Sequence, residues 1–221
     1  MRRTIKGFAE VAARTLPIQE PIVEFGALQV PGQEQFADLR PLFPGKQYIG
    51  ADMREGLGVD RVLNLHDIAL ESDSVGTILS LDTLEHVEFP HKAVAEMHRV
   101  LKPNGIAILS SVMDFPIHDF PYDYWRFTPE AFRSIMRPFA NVFVGYAGRS
   151  NFPHTIVGVG FKGATPDLTA FERDFAVWKQ RQNYLWNLEL PDLVKQFTPP
   201  VAVPVFSRVY GWMRGARARR D

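Results

Sequence analysis

The sequence predicts an α/β fold with a doubly wound, mostly parallel sheet, followed by a helical extension. Short apolar runs alternate with helical patterns over residues 21–163, as expected for consecutive βαβ units. After residue 163 these runs give way to one long aromatic helical pattern. A chain of 221 residues with 46% apolar content can bury one substantial core, so we expect a single main domain.

The predicted main domain covers residues 21–163, between an N-terminal helix within residues 1–20 and an extension over residues 164–221. Apolar positions on one side of residues 4–15 predict that first helix, which Pro17 ends. Seven apolar runs bounded by proline, glycine or polar residues predict strands at 22–25, 48–51, 61–65, 75–81, 106–112, 141–146 and 155–161. Further helical patterns occur at 33–43, 90–101, 129–136 and 168–187.

Composition excludes several kinds of partner and chemistry. Lysine plus arginine equals aspartate plus glutamate at 25 each, which indicates a small ligand and no nucleic acid. The chain has no cysteine, so disulfides and thiolate chemistry are excluded, and the sequence predicts no metal site. No stretch approaches the roughly 18 apolar residues that span a bilayer. Charged residues also interrupt the N-terminal apolar positions, so we expect a cytoplasmic protein.

Candidate ligand-binding residues follow the first two predicted strands. In an open α/β sheet, ligands bind beyond the carboxyl ends of the strands, where the strand order switches. Glu24, Gly26 and Ala27 lie at the end of the first strand, where glycine allows a tight turn against a ligand. Asp52 and Met53 lie at the end of the second, where a carboxylate can accept hydrogen bonds from ribose hydroxyls.

The third and fourth predicted strands end in further candidates. Asn64 and Leu65 could read the edge of an adenine through ordinary donors and acceptors. Leu81 and Asp82 would line the same crevice. The glutamate and histidine at positions 85 and 86 either line this crevice or cap the helix that follows, and both interpretations stay open.

Three consecutive segments carry a family resemblance. LDTLEHVEFP at 81–90, AVAEMHRVLKPNG at 93–105 and IAILSS at 106–111 resemble class I S-adenosylmethionine-dependent methyltransferases, in particular the small-molecule branch related to quinone biosynthesis. The resemblance covers residues 21–163 and implies a Rossmann-like sheet of seven strands with an antiparallel last strand. It also implies S-adenosylmethionine as cofactor and methyl transfer as activity.

The resemblance assigns expected roles to the candidate residues. It brings Gly26 and its neighbours to the methionine and ribose of the cofactor, and it puts Asp52 on the ribose. It puts Asn64 and Leu65 at the adenine, and residues 81–82 near the methionine portion.

The first loop departs from the family pattern. Leu28 stands where the family usually has a second glycine, which would weaken close approach of the cofactor. A non-catalytic scaffold or binding protein on the same fold is therefore an alternative. The G-x-G-x-x-G fingerprint and a Tyr-x-x-x-Lys pair are also absent, which disfavours a nicotinamide-dependent oxidoreductase.

The loop at 113–128 is the predicted acceptor side. His118 is the leading candidate for a general base, because imidazole accepts a proton near neutral pH, and Asp119 or Asp123 could orient it. Tyr124 and the Trp-Arg pair after it could frame an aromatic or anionic acceptor. The alternative is that the aromatic residues 125 and 127 pack the loop onto the sheet while the arginine pairs with a carboxylate.

The extension allows two interpretations for each of its halves. Its aromatic residues at 171–186 either cover the core or form a homodimer contact. The basic, aromatic tail at 207–221 is compatible with peripheral contact to an anionic membrane, or with a solvated tail. The acceptor is expected to be a small molecule, free or linked to a glycan or lipid, methylated at oxygen or nitrogen.

Overall fold

A computed structural model describes residues 2–30, 37–119 and 121–187 of the chain, with side chains up to residue 183. The helices are α1 (Arg3–Thr15), α2 (Pro90–Val100), α3 (Pro129–Ile135) and α4 (Thr169–Asn187). The strands are β1 (Ile22–Phe25), β2 (Tyr48–Asp52), β3 (Arg61–Val62), β4 (Val75–Leu81), β5 (Leu101–Val112), β6 (Asn141–Arg149) and β7 (Phe152–Phe161). Short 3-10 turns occupy Arg40–Leu42 and Leu84–His86.

The seven strands form one sheet in the order β3-β2-β1-β4-β5-β7-β6. All pairings from β3 to β5 are parallel, whereas β7 is antiparallel to both β5 and β6. The predicted doubly wound fold with an antiparallel last strand is therefore confirmed. The strand order reverses between β1 and β4, so the carboxyl ends of these two strands border the ligand-binding crevice.

Two apolar layers sandwich the sheet. On one face, α2 and α3 bury Val94, Met97 and Phe132 against strand residues. On the other face, Phe8 of α1 and Phe171 of α4 join the apolar residues of β5 and β7. Residues 2–182 belong to one compact unit, so α1 and most of α4 are part of the body that holds the sheet.

The boundaries of the two fully buried strands agree with the sequence prediction. β1 and β4 begin and end as predicted, and every residue of both is buried. β5 begins five residues earlier than predicted, at Leu101 rather than Ile106, with an irregular register at the start of its pairing with β4. Thr128 caps α3 as expected, since its hydroxyl accepts a hydrogen bond from the Ala131 N–H.

Two further elements differ from their predictions. β3 ends at Val62 rather than at residue 65, because both its residues are exposed at the sheet edge and Asn64 instead bridges to Asp67. The predicted helix at 33–43 falls partly outside the described residues, and its described part contains the 3-10 turn at Arg40–Leu42. Ala37 is helical, and Pro41, which is expected to end the helix early, lies within the 3-10 turn that follows.

The extension is described as far as residue 187. Phe171, Phe175 and Trp178 of α4 are buried, so this half covers the core as the simpler interpretation predicts. The side chains at 184–186 and the whole basic tail lie outside the described residues, so the homodimer and membrane interpretations stay predictions. Among the helices of the described residues, none is both long and apolar enough to cross a membrane.

Candidate active site

The junction between β1 and β4 forms the centre of the crevice. Gly26 follows β1 with a φ of 85°, a conformation that favours glycine. A methyl group at this position would collide with the Thr83 hydroxyl, which itself donates to the Phe25 carbonyl at 3.2 Å. Gly26 is thus required where the ends of the two strands meet, and its exposed backbone borders the crevice.

Glu24 lies beneath this junction as a buried carboxyl. Its Oε2 accepts a hydrogen bond of 2.6 Å from the Tyr48 hydroxyl on β2. Burial raises the pKa of Glu24 to about 7, although the Tyr48 hydrogen bond opposes this shift. Ala27, the next candidate along the chain, is also buried. Glu24 therefore links β1 to β2 through Tyr48 and carries a proton in slightly acidic solution.

Asp52 and Met53 lie at the carboxyl end of β2. The Asp52 side chain is 11% exposed, and its Oδ1 accepts a hydrogen bond from the Arg54 N–H at 3.0 Å. Met53 is largely exposed. The Arg54 guanidinium is 3.7 Å from a carboxylate oxygen of Asp119, so it links this loop to the loop after β5.

The segment after β3 places its two candidates differently. Asn64 is exposed, and its Oδ1 accepts from the His66 N–H at 2.9 Å. The Leu65 side chain packs into the core, so only its backbone could meet a ligand. His66 accepts a hydrogen bond from the Phe89 N–H through Nε2 and thereby connects this segment to the start of α2.

Arg2 pairs with Asp82 at the end of β4. The guanidinium donates to both Asp82 carboxylate oxygens at 2.9 Å, and the Arg2 backbone N–H donates at 3.1 Å. Arg2 also donates to the Thr155 hydroxyl and lies over the Phe115 ring. Burial alone would raise the pKa of Asp82, but the charge of Arg2 outweighs it and the pKa is lowered. Leu81, by contrast, packs its side chain into the core.

Glu85 and His86 occupy the 3-10 turn after β4, and neither caps α2. Glu85 is fully buried, and its Oε2 accepts from the Ser111 hydroxyl at 2.6 Å. Its Oε1 has no hydrogen-bond partner among the described residues. Burial, followed by the charge of Asp82, raises the pKa of Glu85 to about 7. The His86 Nδ1 is 2.7 Å from the Tyr122 carbonyl oxygen.

His118 in the loop after β5 is held by Asp123 rather than by Asp119. Asp123 accepts from the His118 N–H at 2.8 Å, and its Oδ2 is 3.2 Å from the His118 Nδ1. The same Nδ1 is 3.1 Å from the Pro116 carbonyl oxygen. The His118 ring meets the His86 ring edge to face, with centroids 4.6 Å apart.

Arg126 fastens this loop, as the packing interpretation predicts. Its guanidinium donates to both oxygens of Asp123, at 2.6 and 2.7 Å, and to the carbonyls of Phe115 and Pro116. The hydrogen bonds from Arg126 are the largest cause of a lowered pKa at Asp123. A rigid, charged clamp therefore holds the backbone on both sides of His118.

The aromatic residues of the loop divide by exposure. Phe127 is buried in the core, as the packing interpretation predicts. Trp125 is 43% exposed and contacts the protein through its indole N–H, which donates to the Val87 carbonyl at 3.0 Å. Tyr124 is also 43% exposed, and its backbone N–H donates to the Glu85 carbonyl. Tyr124 and Trp125 thus offer exposed aromatic surface, and their backbone N–H groups bind the Glu85 carbonyl, next to His86 in sequence.

Comparison with known proteins concerns the fold and the kind of domain. Residues 40–109 match the family model described as a methyltransferase domain. The matched residues run from the 3-10 turn before β2 into β5 and indicate a methyltransferase domain. No curated protein matches the chain in sequence.

Solved methyltransferase structures share the fold. A methyltransferase from Thermotoga maritima, described as a possible histamine N-methyltransferase, is 21% identical, with a TM-score of 0.53 over 72% of this chain and 91% of that one. A methyltransferase from Archaeoglobus fulgidus is 12% identical, with a TM-score of 0.53 over 73% and 95%. A chain in the complex of the Haloferax volcanii Trm112 activator with a putative methyltransferase is 16% identical, with a TM-score of 0.52 over 72% and 90%.

S-adenosylmethionine is the cofactor of this methyltransferase, and the carboxyl edge fits it. The Asp52 carboxylate at the end of β2 is the acceptor that ribose hydroxyls require. The exposed backbone of Gly26 beside it lets a ligand approach without meeting a side chain. Gly32, the next glycine after Leu28, lies outside the described residues.

Two residues of the site could not be found from the sequence. Arg2 and Ser111 become partners of Asp82 and Glu85 only through the fold, across 80 and 26 residues of chain. The sequence alone does not show whether Asp119 or Asp123 holds His118, because the answer depends on the path of the loop backbone. The motif after β4 indicates which side chains lie at the end of that strand, but it contains no information about the residues that pair with them.

Proposed function

We propose that this methyltransferase transfers a methyl group to an oxygen or nitrogen atom of a small-molecule acceptor, free or linked to a glycan or lipid. The observation that carries the proposal is the position of His118 beside the carboxyl ends of β4 and β5. Its Nδ1 faces two acceptor oxygens, so the proton belongs on Nδ1 and the Nε2 lone pair is left to accept a proton.

The cofactor residues would act on the other side of the crevice. Asp52 would accept hydrogen bonds from the ribose, with Met53 and the segment 24–27 bordering the methionine and ribose. Asn64 and the backbone of Leu65 would meet the adenine, while residues 81–82 would lie near the methionine portion. Arg2 would remain paired with Asp82 and so supply a positive group to the same region.

When bound, S-adenosylmethionine supplies a methyl group on a positively charged sulfur. The protein must hold the acceptor in line with that methyl group and remove its proton. His118 would take the proton on Nε2 as the acceptor oxygen or nitrogen bonds to the methyl carbon and the carbon–sulfur bond breaks. Asp123 orients the ring, Tyr124 frames the acceptor, and Asp119 with Arg54 brings the acceptor loop to the cofactor loop.

Calorimetric titration with S-adenosylmethionine and with its demethylated product tests the cofactor site first. Asp52→Ala should weaken binding by about 10- to 100-fold, since a hydrogen bond to a charged group contributes about 1.5–3 kcal/mol. Glu55→Ala, which removes an exposed carboxylate from the same loop, is the matched control and should bind as the wild type does. If the wild type bound neither compound, the scaffold alternative would replace the proposal.

The acceptor side is tested by turnover. The wild type is incubated with S-adenosylmethionine and a panel of hydroxyl and amine acceptors, and formation of the demethylated product is measured. His118→Gln should lower kcat by about 100-fold or more, the usual contribution of a general base, without changing cofactor affinity. Unchanged turnover in this variant would remove His118 from the chemistry.

A further inference from the structure

Glu85, His86 and His118 come together at the acceptor end of the crevice. One nitrogen of each imidazole and one oxygen of the carboxylate lie within 4.8 Å of one another. Glu85 and His86 come from the turn after β4, and His118 comes from the loop after β5. Two histidines and one carboxylate are a known three-ligand set of catalytic zinc sites, in which the fourth position is left open.

We infer that Glu85, His86 and His118 form a binding site for a divalent cation of the zinc type. The inference deepens the proposed function, because the site lies on the predicted acceptor side, but cation binding itself requires neither cofactor nor acceptor. The sequence, which has no cysteine, predicts no metal site, because these three residues become neighbours only in the fold.

The first support is an unpaired oxygen on a fully buried side chain. Glu85 is 0% exposed, and its Oε1 has no hydrogen-bond partner within the described part of the chain. A buried polar atom without a partner costs free energy of about 1–3 kcal/mol. The nearby cations do not supply the missing partner, because Arg2 is paired with Asp82 and Arg126 with Asp123. A bound cation would satisfy this oxygen.

The second support is the orientation of the two imidazoles. The His86 Nδ1 faces the Tyr122 carbonyl oxygen, and the His118 Nδ1 faces the Pro116 carbonyl and Asp123. Since these oxygens only accept hydrogen bonds, both Nδ1 atoms carry the proton and both Nε2 lone pairs are left for a ligand bond. Zinc-bound histidines are held in this way, by a carbonyl or carboxylate on the other ring nitrogen.

The distances allow the site to close on a cation. Ligand atoms around a tetrahedral zinc ion are about 3.3 Å apart, given metal–ligand bonds of about 2.0 Å. The present separation of up to 4.8 Å thus requires shifts of roughly 1 Å. His118 can make such a shift because its side chain is 33% exposed and lies on a loop. His86 is also only partly buried.

A cation here would change how the acceptor loses its proton. An acceptor hydroxyl bound at the open position becomes more acidic, as water does on zinc. The oxygen bonds to the methyl carbon as the carbon–sulfur bond breaks, the electron pair of that bond stays on sulfur, and the hydroxyl proton leaves to solvent. His118 would then hold the cation instead of accepting the proton.

Zinc binding to the full-length protein tests the inference. Protein treated with a chelator and dialysed is titrated with Zn²⁺ in the absence of S-adenosylmethionine, with metal content measured after equilibrium dialysis. Co²⁺ replaces Zn²⁺ in a parallel titration, and its visible absorption reports nitrogen and oxygen ligands. We expect one ion per chain, and more than about 100-fold weaker binding in both His118→Ala and His86→Ala.

Controls separate this site from other surfaces. His91→Ala removes an exposed histidine from α2 and should bind zinc as the wild type does. Glu85→Gln keeps the size of the side chain and should also lose affinity. If circular dichroism shows that His86→Ala does not fold, the zinc affinity of His118→Ala, a change in an exposed loop, decides whether the site exists. Absence of zinc binding, or binding that survives His118→Ala, would overturn the inference.

The zinc titration and the cofactor titration test separate claims, so a negative result in one does not decide the other. Zinc binding without cofactor binding would leave the cation site standing and refute the proposed methyl transfer. Turnover that depends on His118 in zinc-free, chelator-treated protein would leave the methyl transfer standing and return His118 to the role of base.

Discussion

At the scale of single residues, the partner of each buried carboxyl sets its charge. Asp82 faces the Arg2 guanidinium and its pKa is lowered, whereas Glu24 and Glu85 accept hydrogen bonds from the hydroxyls of Tyr48 and Ser111. Burial therefore prevails for the two glutamates and raises the pKa of each to about 7. Of these three carboxyls, Asp82 is thus the one whose ionised form is favoured, while Glu24 and Glu85 gain or lose a proton near pH 7.

Glu24→Gln should alter how stability depends on pH. The pKa of Glu24 rises from 4.5 to about 7 on folding, so its contribution to stability is fully present below 4.5 and is lost as pH rises through 7. Glutamine does not titrate. Between about pH 5 and about pH 8 the variant should therefore gain stability relative to the wild type, by at most about 3 kcal/mol. Urea unfolding at several pH values measures this difference.

The comparison isolates Glu24 because Glu85 titrates in both proteins. Glu88→Gln, at an exposed position, is the control and should follow the wild-type profile. A constant difference between Glu24→Gln and the wild type at all pH values would show that Glu24 is ionised in the folded protein.

The sequence could indicate which residue types line the crevice but not their partners. Asp52 and Gly26 lie at the carboxyl edge because the strands before them were correctly located. The Arg2 to Asp82 pair and the unpaired Glu85 oxygen depend on contacts between distant segments. Local patterns carry no signal for such contacts, so the charge of each carboxyl could not be predicted.

At the scale of elements, burial decides which boundaries a sequence predicts. β4 is buried along its whole length, so its apolar run coincides with the strand. β3 is exposed at the edge of the sheet, and hydrogen bonding by the side chain of Asn64 competes with extension of the strand. The predicted pattern of seven strands was therefore right, while the length of the edge strand was wrong.

The loop at 113–128 depends on one guanidinium. Arg126→Lys removes the two-point contact with Asp123 and the bonds to two carbonyls, because an ammonium group cannot reproduce the planar fork. Amide hydrogen exchange at residues 114–118 should become about tenfold faster or more, while β5 itself should be unaffected. Hydrogen exchange with mass spectrometry measures both.

Arg133→Lys is the matched control for the loop, since Arg133 pairs with Glu130 on the exposed surface of α3. Amide hydrogen exchange in the loop of Arg133→Lys should equal that of the wild type. If Arg126→Lys also left the loop unchanged, the aromatic contacts of Trp125 and Phe127 would be sufficient to hold it.

At the scale of the whole molecule, α1 and the first part of α4 form a layer of the fold. The Phe8 ring contacts Phe171, Phe175 and Trp178, with centroids 5.6–6.4 Å apart. The Trp178 indole N–H donates to the Thr4 carbonyl at 3.1 Å. The predicted boundaries at residues 20 and 163 mark where the strand pattern begins and ends. In the structure, α1 before the first boundary and α4 after the second both pack onto the sheet.

Phe8→Ala tests whether this layer unfolds together with the sheet. Phe8 is 0% exposed, and replacing a buried phenylalanine by alanine costs about 3–5 kcal/mol. If α1, α4 and the sheet form one cooperative unit, urea unfolding should stay a single transition at a lower midpoint, with tryptophan fluorescence and circular dichroism coinciding. Val177→Ala, at an exposed position of α4, should change stability by less than about 0.5 kcal/mol.

A Phe8→Ala protein in which fluorescence changes first, while the sheet signal keeps its wild-type midpoint, would instead make α1 and α4 a separately unfolding layer. The N-terminal segment that carries Arg2 to Asp82 would then be released before the rest of the methyltransferase unfolds.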